Sequence, residues 1–482
     1  MNYGIVRKVL GIILIFEALF MVPSLGIATY LNEADKYPFL FCILITGLIG
    51  FAMYSPKVDK KTIRAKEGLA IVAFSWILIS FFGCLPFVFS GSIPSLIDAF
   101  FETVSGFTTT GATLIDNVEI LPKGILFWRS FTHWIGGMGI LVFMVALLPA
   151  IGVGGFQIFK AESPGPTADR FVPRIKDTAK ILYITYISMT LIQIALLLFG
   201  GMSLYESMLH TFGTVGTGGF STRNLSIGAY NSTYIHIVIA VFMILSGVNF
   251  SLYYVIYKGR WKEVLKNQEL KLYLGIILGS TILIALNLKI SAFQDIGTAL
   301  KDALFQVSSI ITTTGYATVD FDLWPAFSKS ILFLLMFVGG CAGSTAGGMK
   351  SIRILVLLKK IKREVGKIFH PRAVMPIKNG DKIIADETVS GISTFFALYI
   401  FIFLISVVII SLEGIDLASA ATAVAVTLGN VGPGFGFVGP RTTFSGFTPY
   451  SKLFFSFLML LGRLELFTII AFFAPKTWRN EI

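Results

Sequence analysis

The chain has 482 residues, 55% of them hydrophobic and only 14% charged, with 45 Phe and 47 Gly. Soluble domains carry about 25% charged residues, so a water-soluble fold is excluded and an all-α integral membrane protein is expected. The formal charge of +12 would suggest nucleic acid in a soluble chain; in one this apolar it points to membrane orientation and anionic lipid, and no nucleic-acid partner is expected.

Runs of about 20 apolar residues, enough to cross a bilayer, lie near 10–31, 38–54, 69–90, 125–149, 178–200, 234–256, 272–289, 325–349, 388–411 and 450–473. Ten spans are predicted. The first is too long for a removable signal peptide and lacks a small-residue cleavage site. Basic residues gather on one side: Arg7 and Lys8, then Lys57, Lys60, Lys61, Arg64 and Lys66, then Lys160, Arg170, Arg174 and Lys176. Lys258, Arg260, Lys262, Lys266 and Lys271, the segment 350–387, and Lys476 and Arg479 continue the pattern. By the positive-inside rule that side is cytoplasmic, and both termini lie there. Three Cys in apolar runs (Cys42, Cys84, Cys341) and four scattered His (His133, His210, His236, His370) fit neither a disulfide framework nor a zinc site.

The connections on the other side repeat. After span three comes Thr108-Thr109-Thr110-Gly111-Ala112-Thr113, and after span seven Thr312-Thr313-Thr314-Gly315-Tyr316-Ala317. After span five comes Gly216-Thr217-Gly218-Gly219-Phe220-Ser221, and after span nine Gly429-Asn430-Val431-Gly432-Pro433-Gly434. Thirteen residues before the shared glycine stand Asp98, Glu206, Asp302 and Ser419, the last with Asp416 nearby. These residues suit a helix N-terminus. Each unit reads as helix, short re-entrant helix, extended loop, helix. The chain divides into a two-helix N-terminal part (1–66) and four units, 67–175, 176–270, 271–383 and 384–482.

Four such loops around one axis suit ion coordination. Backbone carbonyls can replace the water of a potassium ion, glycine permits the dihedrals that turn carbonyls to one side, and threonine hydroxyls add oxygens. The candidate ligands come from Thr109, Thr110 and Gly111, from Thr217, Gly218 and Gly219, from Thr313, Thr314 and Gly315, and from Asn430, Val431 and Gly432. No Asp or Glu lies within the motifs, so a carboxylate ring for divalent ions is not expected. A helix cap or turn explains one Thr-Thr-Thr-Gly easily, but not four in register.

This arrangement resembles the Trk/Ktr/HKT superfamily of potassium transporters. The four loops carry the match, with Arg129-Ser130-Phe131-Thr132-His133-Trp134-Ile135-Gly136-Gly137-Met138-Gly139 and Leu461-Gly462-Arg463-Leu464-Glu465. The repeats cover roughly 67–475, and the two extra N-terminal spans look like the TrkH branch. The resemblance implies four M1–P–M2 repeats around a single pseudo-fourfold pore, a homodimer in the bacterial inner membrane, and a cytosolic TrkA-type partner forming a nucleotide-binding ring. The chain itself would hold no cofactor, only potassium in transit. Relatives with Ser for the first filter glycine pass sodium, so Gly111 favours potassium. A second glycine two residues on, usual in tetrameric potassium channels, is replaced by Thr113, Ser221 and Ala317 and kept only as Gly434, so selectivity is expected to be looser.

Span eight holds Gly339, Gly340, Gly343, Gly347 and Gly348. Gly339, Gly343 and Gly347 could form a small-residue packing face; an unwound stretch lining the pore, as in the family's intramembrane gate loop, is the better reading. Arg463, inside the last span, is read as a fixed cation at the pore, and Glu465 as a partner for Arg463 or Arg129 or as functional in its own right. The basic stretch 350–382, with Lys359, Lys360, Lys362, Arg363 and Lys367, serves lipid contact, docking of the cytosolic ring, or both. Gly434-Phe435-Gly436-Phe437-Val438-Gly439 matches a dinucleotide fingerprint but leaves a loop rather than a strand, so it is rejected. His133 reads as a packed, hydrogen-bonded helix residue. An organic-solute transporter would show inverted repeats, and a membrane enzyme would need clustered acid–base or metal residues; neither pattern is visible. Whether flux is channel-like or coupled to sodium or protons is open at this stage.

Overall fold

The computed structural model describes residues 1–56, 63–139, 175–292, 294–380 and 382–473. Two N-terminal helices, α1 (Tyr3–Tyr30) and α2 (Lys36–Tyr54), cross at Gly11 and Gly50. A Cβ on Gly11 would stand 2.6 Å from the Gly50 carbonyl oxygen, so only glycine lets these backbones meet.

Four similar units follow. The first has α3 (Ala65–Phe89), the short α4 (Leu96–Phe107) and α5 (Lys123–Met138). The second has α6 (Ile175–Phe199), α7 (Leu204–Val215) and the pair α8 (Thr233–Ser246) and α9 (Phe250–Tyr257), with the connector α10 (Trp261–Lys266). The third has α11 (Gln268–Ser291), α12 (Ile296–Ile311), α13 (Ala326–Val338) and, after an irregular segment, α14 (Ser351–Phe369). A small antiparallel hairpin, with Lys378 opposite Ile383, leads into the fourth: α15 (Asp386–Ile410), α16 (Leu417–Leu428), α17 (Pro449–Arg463) and α18 (Phe467–Phe473). Each unit also places one short 3-10 turn after its pore helix: Val118–Ile120, Ser226–Ala229, Phe321–Leu323 and Gly436–Val438.

Among the described residues, six helices are long and apolar enough to cross a membrane alone: α1, α2, α3, α6, α11 and α15. These are the two N-terminal helices and the first helix of every unit. The other four predicted spans, the second helices of the units, are not continuous helices: the break in span eight is as read from its glycines, and α8 and α9 pass as one span only when taken together across their bend. The helices α5, α8, α13 and α17 have 16, 14, 13 and 15 residues. At 1.5 Å per residue they reach only about 20–24 Å, short of a hydrocarbon core of about 30 Å. The breaks have local causes. The backbone turns at Gly139 (φ 77°) after α5 and at Gly339 (φ 71°) after α13, and α8 meets α9 at 92°. After α17, Glu465 takes φ 50°. Apolar residues continue past each break, so a count of hydrophobic length cannot see it. Residues 140–149 of the fourth predicted span lie outside the described residues, as do Lys57, Lys60, Lys61, Lys160, Arg170, Arg174, Lys476 and Arg479.

The short helices start at side-chain caps. Ser95 and Ser203 accept the N–H groups of Asp98 and Glu206, and Asp416 accepts that of Ser419 at 3.0 Å. Asp98, Glu206 and Ser419 thus lie in the first turn, as read. Asp302 does not. The helix α12 begins at the Asp295 cap, about two turns earlier, and is 16 residues long against 12 for the others. Asp302 is therefore mid-helix and buried, beside Lys301 at 3.6 Å.

Candidate functional site: four loops closed around one axis

All four short helices end in the same way. Thr109, Thr217, Thr313 and Asn430 have φ of 55°, 56°, 55° and 55°. The Thr109 N–H donates to Gly106 O at 3.1 Å and the Thr110 N–H to Ser105 O at 2.9 Å. Thr217 and Gly218, Thr313 and Thr314, and Asn430 and Val431 repeat both bonds. This is a Schellman cap, with a β-branched residue at three of the positions where glycine is usual. A non-glycine residue there costs of order 1–3 kcal/mol, so the surrounding fold imposes the conformation. Two residues on, Gly111, Gly219, Gly315 and Gly432 return to positive φ (81°, 82°, 83° and 100°). Left-handed residues alternating with ordinary ones turn successive carbonyls toward one side, where a β-strand would alternate them.

The loops close on one another. A Cβ on Gly111 would fall 2.1 Å from Gly218 O, one on Gly219 1.9 Å from Thr314 O, one on Gly315 2.4 Å from Val431 O, and one on Gly432 2.7 Å from Thr110 O. Each contact runs from one unit's glycine to the residue preceding the next unit's glycine, and the fourth returns to the first. The ring is a closed pseudo-fourfold. Above it opens a cavity of about 330 Å³ whose lining includes all four glycines, Asp116 and Arg441.

The hydroxyls divide. Thr110 and Thr314 pair with Thr108 and Thr312 at 2.8 Å, and Thr110 also accepts from Asn430 Nδ2 at 2.9 Å. Thr313 Oγ1 accepts the Gly347 N–H at 2.6 Å, and Thr217 Oγ1 donates to Gly216 O. Of the five threonines among the candidate ligands, Thr109 alone has a hydroxyl with no hydrogen-bond partner among the described residues. Most threonine hydroxyls here brace the loops instead of adding oxygens to the axis. His133 is a packed, hydrogen-bonded residue as read. Its Nδ1 meets Gly106 O at 2.7 Å and its Nε2 accepts the Phe220 N–H at 3.1 Å, joining units one and two.

Below the ring, residues 339–350 form no helix. Gly339, Gly343 and Gly347 therefore do not line a helical packing face, and that alternative is corrected. The segment is stitched to the loops above it and to α8. Gly348 N–H donates to Gly429 O at 3.0 Å, Cys341 N–H to Gly247 O at 2.8 Å, and Phe250 N–H to Gly343 O at 3.0 Å. Gly340 O accepts from Ser351 N–H at 2.9 Å. The Thr345 hydroxyl lies 3.0 Å from Val215 O. Charged side chains grip its backbone too. Arg463 donates to Thr345 O at 3.2 Å, to Gly137 O at 3.0 Å and to Gly136 O. Glu269 accepts the Ala342 N–H at 2.6 Å, and buried Lys350 donates to Ala346 O. Arg463 thus joins the last inner helix, the segment and the end of α5.

Glu465 meets Arg353 of α14, a pair the sequence did not suggest. Arg129 is held by Glu102 at 2.7 Å, not by Glu465. Of the five basic residues read as serving lipid contact or docking, three reach other elements of the chain and Lys367 lies 3.6 Å from Glu364 on its own helix. Lys359 reaches Gln268 and Lys360 reaches Ser393 at 2.7 Å; Arg363 reaches Asp386 at 2.6 Å. They hold α14 against α11 and α15, and Lys362 remains exposed. Sequence reasoning also missed Lys452, which reaches from α17 to Asp98 of α4 at 2.9 Å. A lysine inside the tenth apolar run was the available signal.

The comparisons with known proteins agree with this geometry. The sequence matches the family described as TrkH, cation transport protein, over residues 37–480. It is 38% identical to the Trk system potassium uptake protein TrkH of Salmonella typhimurium and 37% to that of Escherichia coli strain K12, each alignment covering 100% of both chains. The crystal structure of the potassium transporter TrkH from Vibrio parahaemolyticus superimposes with a TM-score of 0.89 at 34% identity, covering 99% of this chain and 100% of that one. The chain belongs to the TrkH family of cation transport proteins.

Proposed function

We propose that this protein takes up potassium ions across the cytoplasmic membrane, through a filter made by Thr109–Gly111, Thr217–Gly219, Thr313–Gly315 and Asn430–Gly432. The observation that carries the reading is the closed ring of glycine-to-carbonyl contacts, repeated four times with one backbone conformation. Its candidate ligands are backbone oxygens, whose dipoles suit a monovalent cation. The short helices point their C-terminal, negative ends at the same place. Relatives alike over their full length carry the name potassium uptake protein.

Residues 339–350 with Arg463 serve as the gate beneath the filter. The division at 66, 175, 270 and 383, the cytoplasmic placement of both termini, the homodimer and a cytosolic nucleotide-binding partner of the TrkA type belong to the same proposal. Basic segments on one side support the orientation. The test is ion flux into liposomes holding the purified chain, with potassium, sodium and choline as driving ions. Uptake that follows potassium supports the reading; uptake indifferent to the cation, or none above empty liposomes with or without a cytosolic partner, removes it.

A further inference from the structure

Nine residues before the filter glycine, the four pore helices carry Glu102, His210, Gln306 and Ala423. All four are buried. Three of them reach the same place, a hydroxyl just beyond their own glycine. The Thr113 hydroxyl donates to Glu102 Oε1 at 2.9 Å, His210 Nε2 meets Ser221 Oγ at 3.0 Å, and Gln306 Nε2 donates to Thr318 Oγ1 at 3.2 Å. In the fourth unit Ala423 offers nothing polar, and the neighbouring Thr422 hydroxyl accepts the Phe435 N–H at 3.2 Å. Each pore helix is therefore strapped to the segment leaving its filter loop, with a different chemistry in each unit.

The first strap is the strongest. Glu102 Oε2 also accepts the Leu114 N–H at 2.9 Å, and Arg129 Nε donates to Oε1 at 2.7 Å. The side chains are 0% and 2% exposed. Arg129 then crosses into the second unit. Its Nη1 donates to Ser221 O at 3.2 Å, and its guanidinium lies 3.5 Å from the centre of the Phe220 ring. Phe220 and Ser221 directly follow Gly219. One buried ion pair thus fixes the segments leaving two adjacent loops. Such a pair is weak evidence for stability, because desolvation cancels much of its attraction; what it supplies is a fixed geometry.

We propose that Glu102 and Arg129 are positioning residues for ion selection: they set the spacing and rigidity of the first two filter loops, with His210 and Gln306 as weaker struts for the second and third. The proposal rests on the reading of the loops as a potassium filter. Where carbonyl oxygens select an ion by the size of the cage they form, the cage must be held open, so loosening the strap would admit sodium without touching a ligand.

The test uses the full chain in liposomes and the potassium/sodium permeability ratio from reversal potentials. The double variant Glu102→Gln/Arg129→Met removes the pair without stranding a buried charge. It is expected to lower the ratio roughly three- to tenfold, the scale of one net hydrogen bond, while the potassium flux stays measurable. Arg129→Lys keeps the charge but cannot span Glu102 and Ser221 together, and is expected to give an intermediate ratio. Gln306→Leu removes a neutral strap, tolerates the fold if the double variant does not, and should lower the ratio less. An unchanged ratio in folded double variant, or in Gln306→Leu when the double variant does not fold, overturns the proposal. Gly111→Ser run beside them separates the two readings. If it shifts the ratio while the strap variants do not, only the strut proposal falls; if none shifts it, the filter reading falls as well.

Discussion

Gly111→Ser measures how much the ring depends on an absent side chain. The new Cβ would stand 2.1 Å from Gly218 O, where Cβ atoms essentially never come within 3.0 Å. The Gly218 carbonyl must retreat by about 1 Å, or the first loop must open by as much. An L-residue at φ 81° adds about 1–2 kcal/mol of its own strain. Turning one carbonyl of the ring away weakens the cage for potassium by about 1–2 kcal/mol, close to one hydrogen-bond-like contact. Since 1.4 kcal/mol is a factor of ten, the potassium/sodium permeability ratio should fall roughly five- to thirtyfold. The ring supplies its own controls. The same substitution at Gly219, Gly315 and Gly432 meets a carbonyl at 1.9, 2.4 and 2.7 Å. The loss should therefore rank Gly219 and Gly111 above Gly315, with Gly432 mildest. Reversal potentials under opposed potassium and sodium gradients read all four. Four folded variants with the wild-type ratio, or with Gly432 the most damaging, would refute the steric reasoning.

Arg463→Ala removes the donor to Thr345 O, Gly136 O and Gly137 O and should raise potassium flux severalfold with selectivity intact; wild-type flux in stable protein counts against the gate. Neutralising Lys359, Lys360 and Arg363 together should loosen α14 and lower thermal stability in detergent, whereas neutralising exposed Lys362 should leave stability unchanged; the opposite pattern would contradict the contacts these residues make. Asp35, between α1 and α2, is a buried carboxylate. Burial, with Glu33 nearby, raises its pKa to about 6. The protonated form is the one the fold prefers, so its contribution is complete below about pH 4 and lost as pH rises through about 6. Asp35→Asn should then melt higher than wild type at pH 7.5, the difference vanishing near pH 4; parallel melting curves across that range would sink the idea.

The site glycines were legible because one pattern recurs four times, and repetition turns an ambiguous Thr-Thr-Thr-Gly into a signal. The threonine two residues earlier was not. Thr109, Thr217 and Thr313 occupy a left-handed cap position that local preference reserves for glycine, and only the tertiary ring holds them there. Asp302 misled because the third pore helix starts at Asp295, outside the common register. The break at Gly339 was legible from its five glycines, but those at Gly139 and Gly247 were not, because residues beyond them are as apolar as those before while the break is a backbone event. The partners of Arg129, Glu465 and Arg463 lie on other helices and loops, and no spacing along the chain brings them together. A charged residue in an apolar span announces a partner without naming it.

The central claim is that cations sit on the axis of the four loops. Crystals of the chain grown or soaked in rubidium or thallium, heavier stand-ins for potassium, give the most direct reading through anomalous scattering. The account predicts anomalous peaks on that axis, encircled by the carbonyls of Thr110, Gly218, Thr314 and Val431. An axis without peaks, with the ion bound instead at a carboxylate such as Asp116 or Glu269, would contradict it.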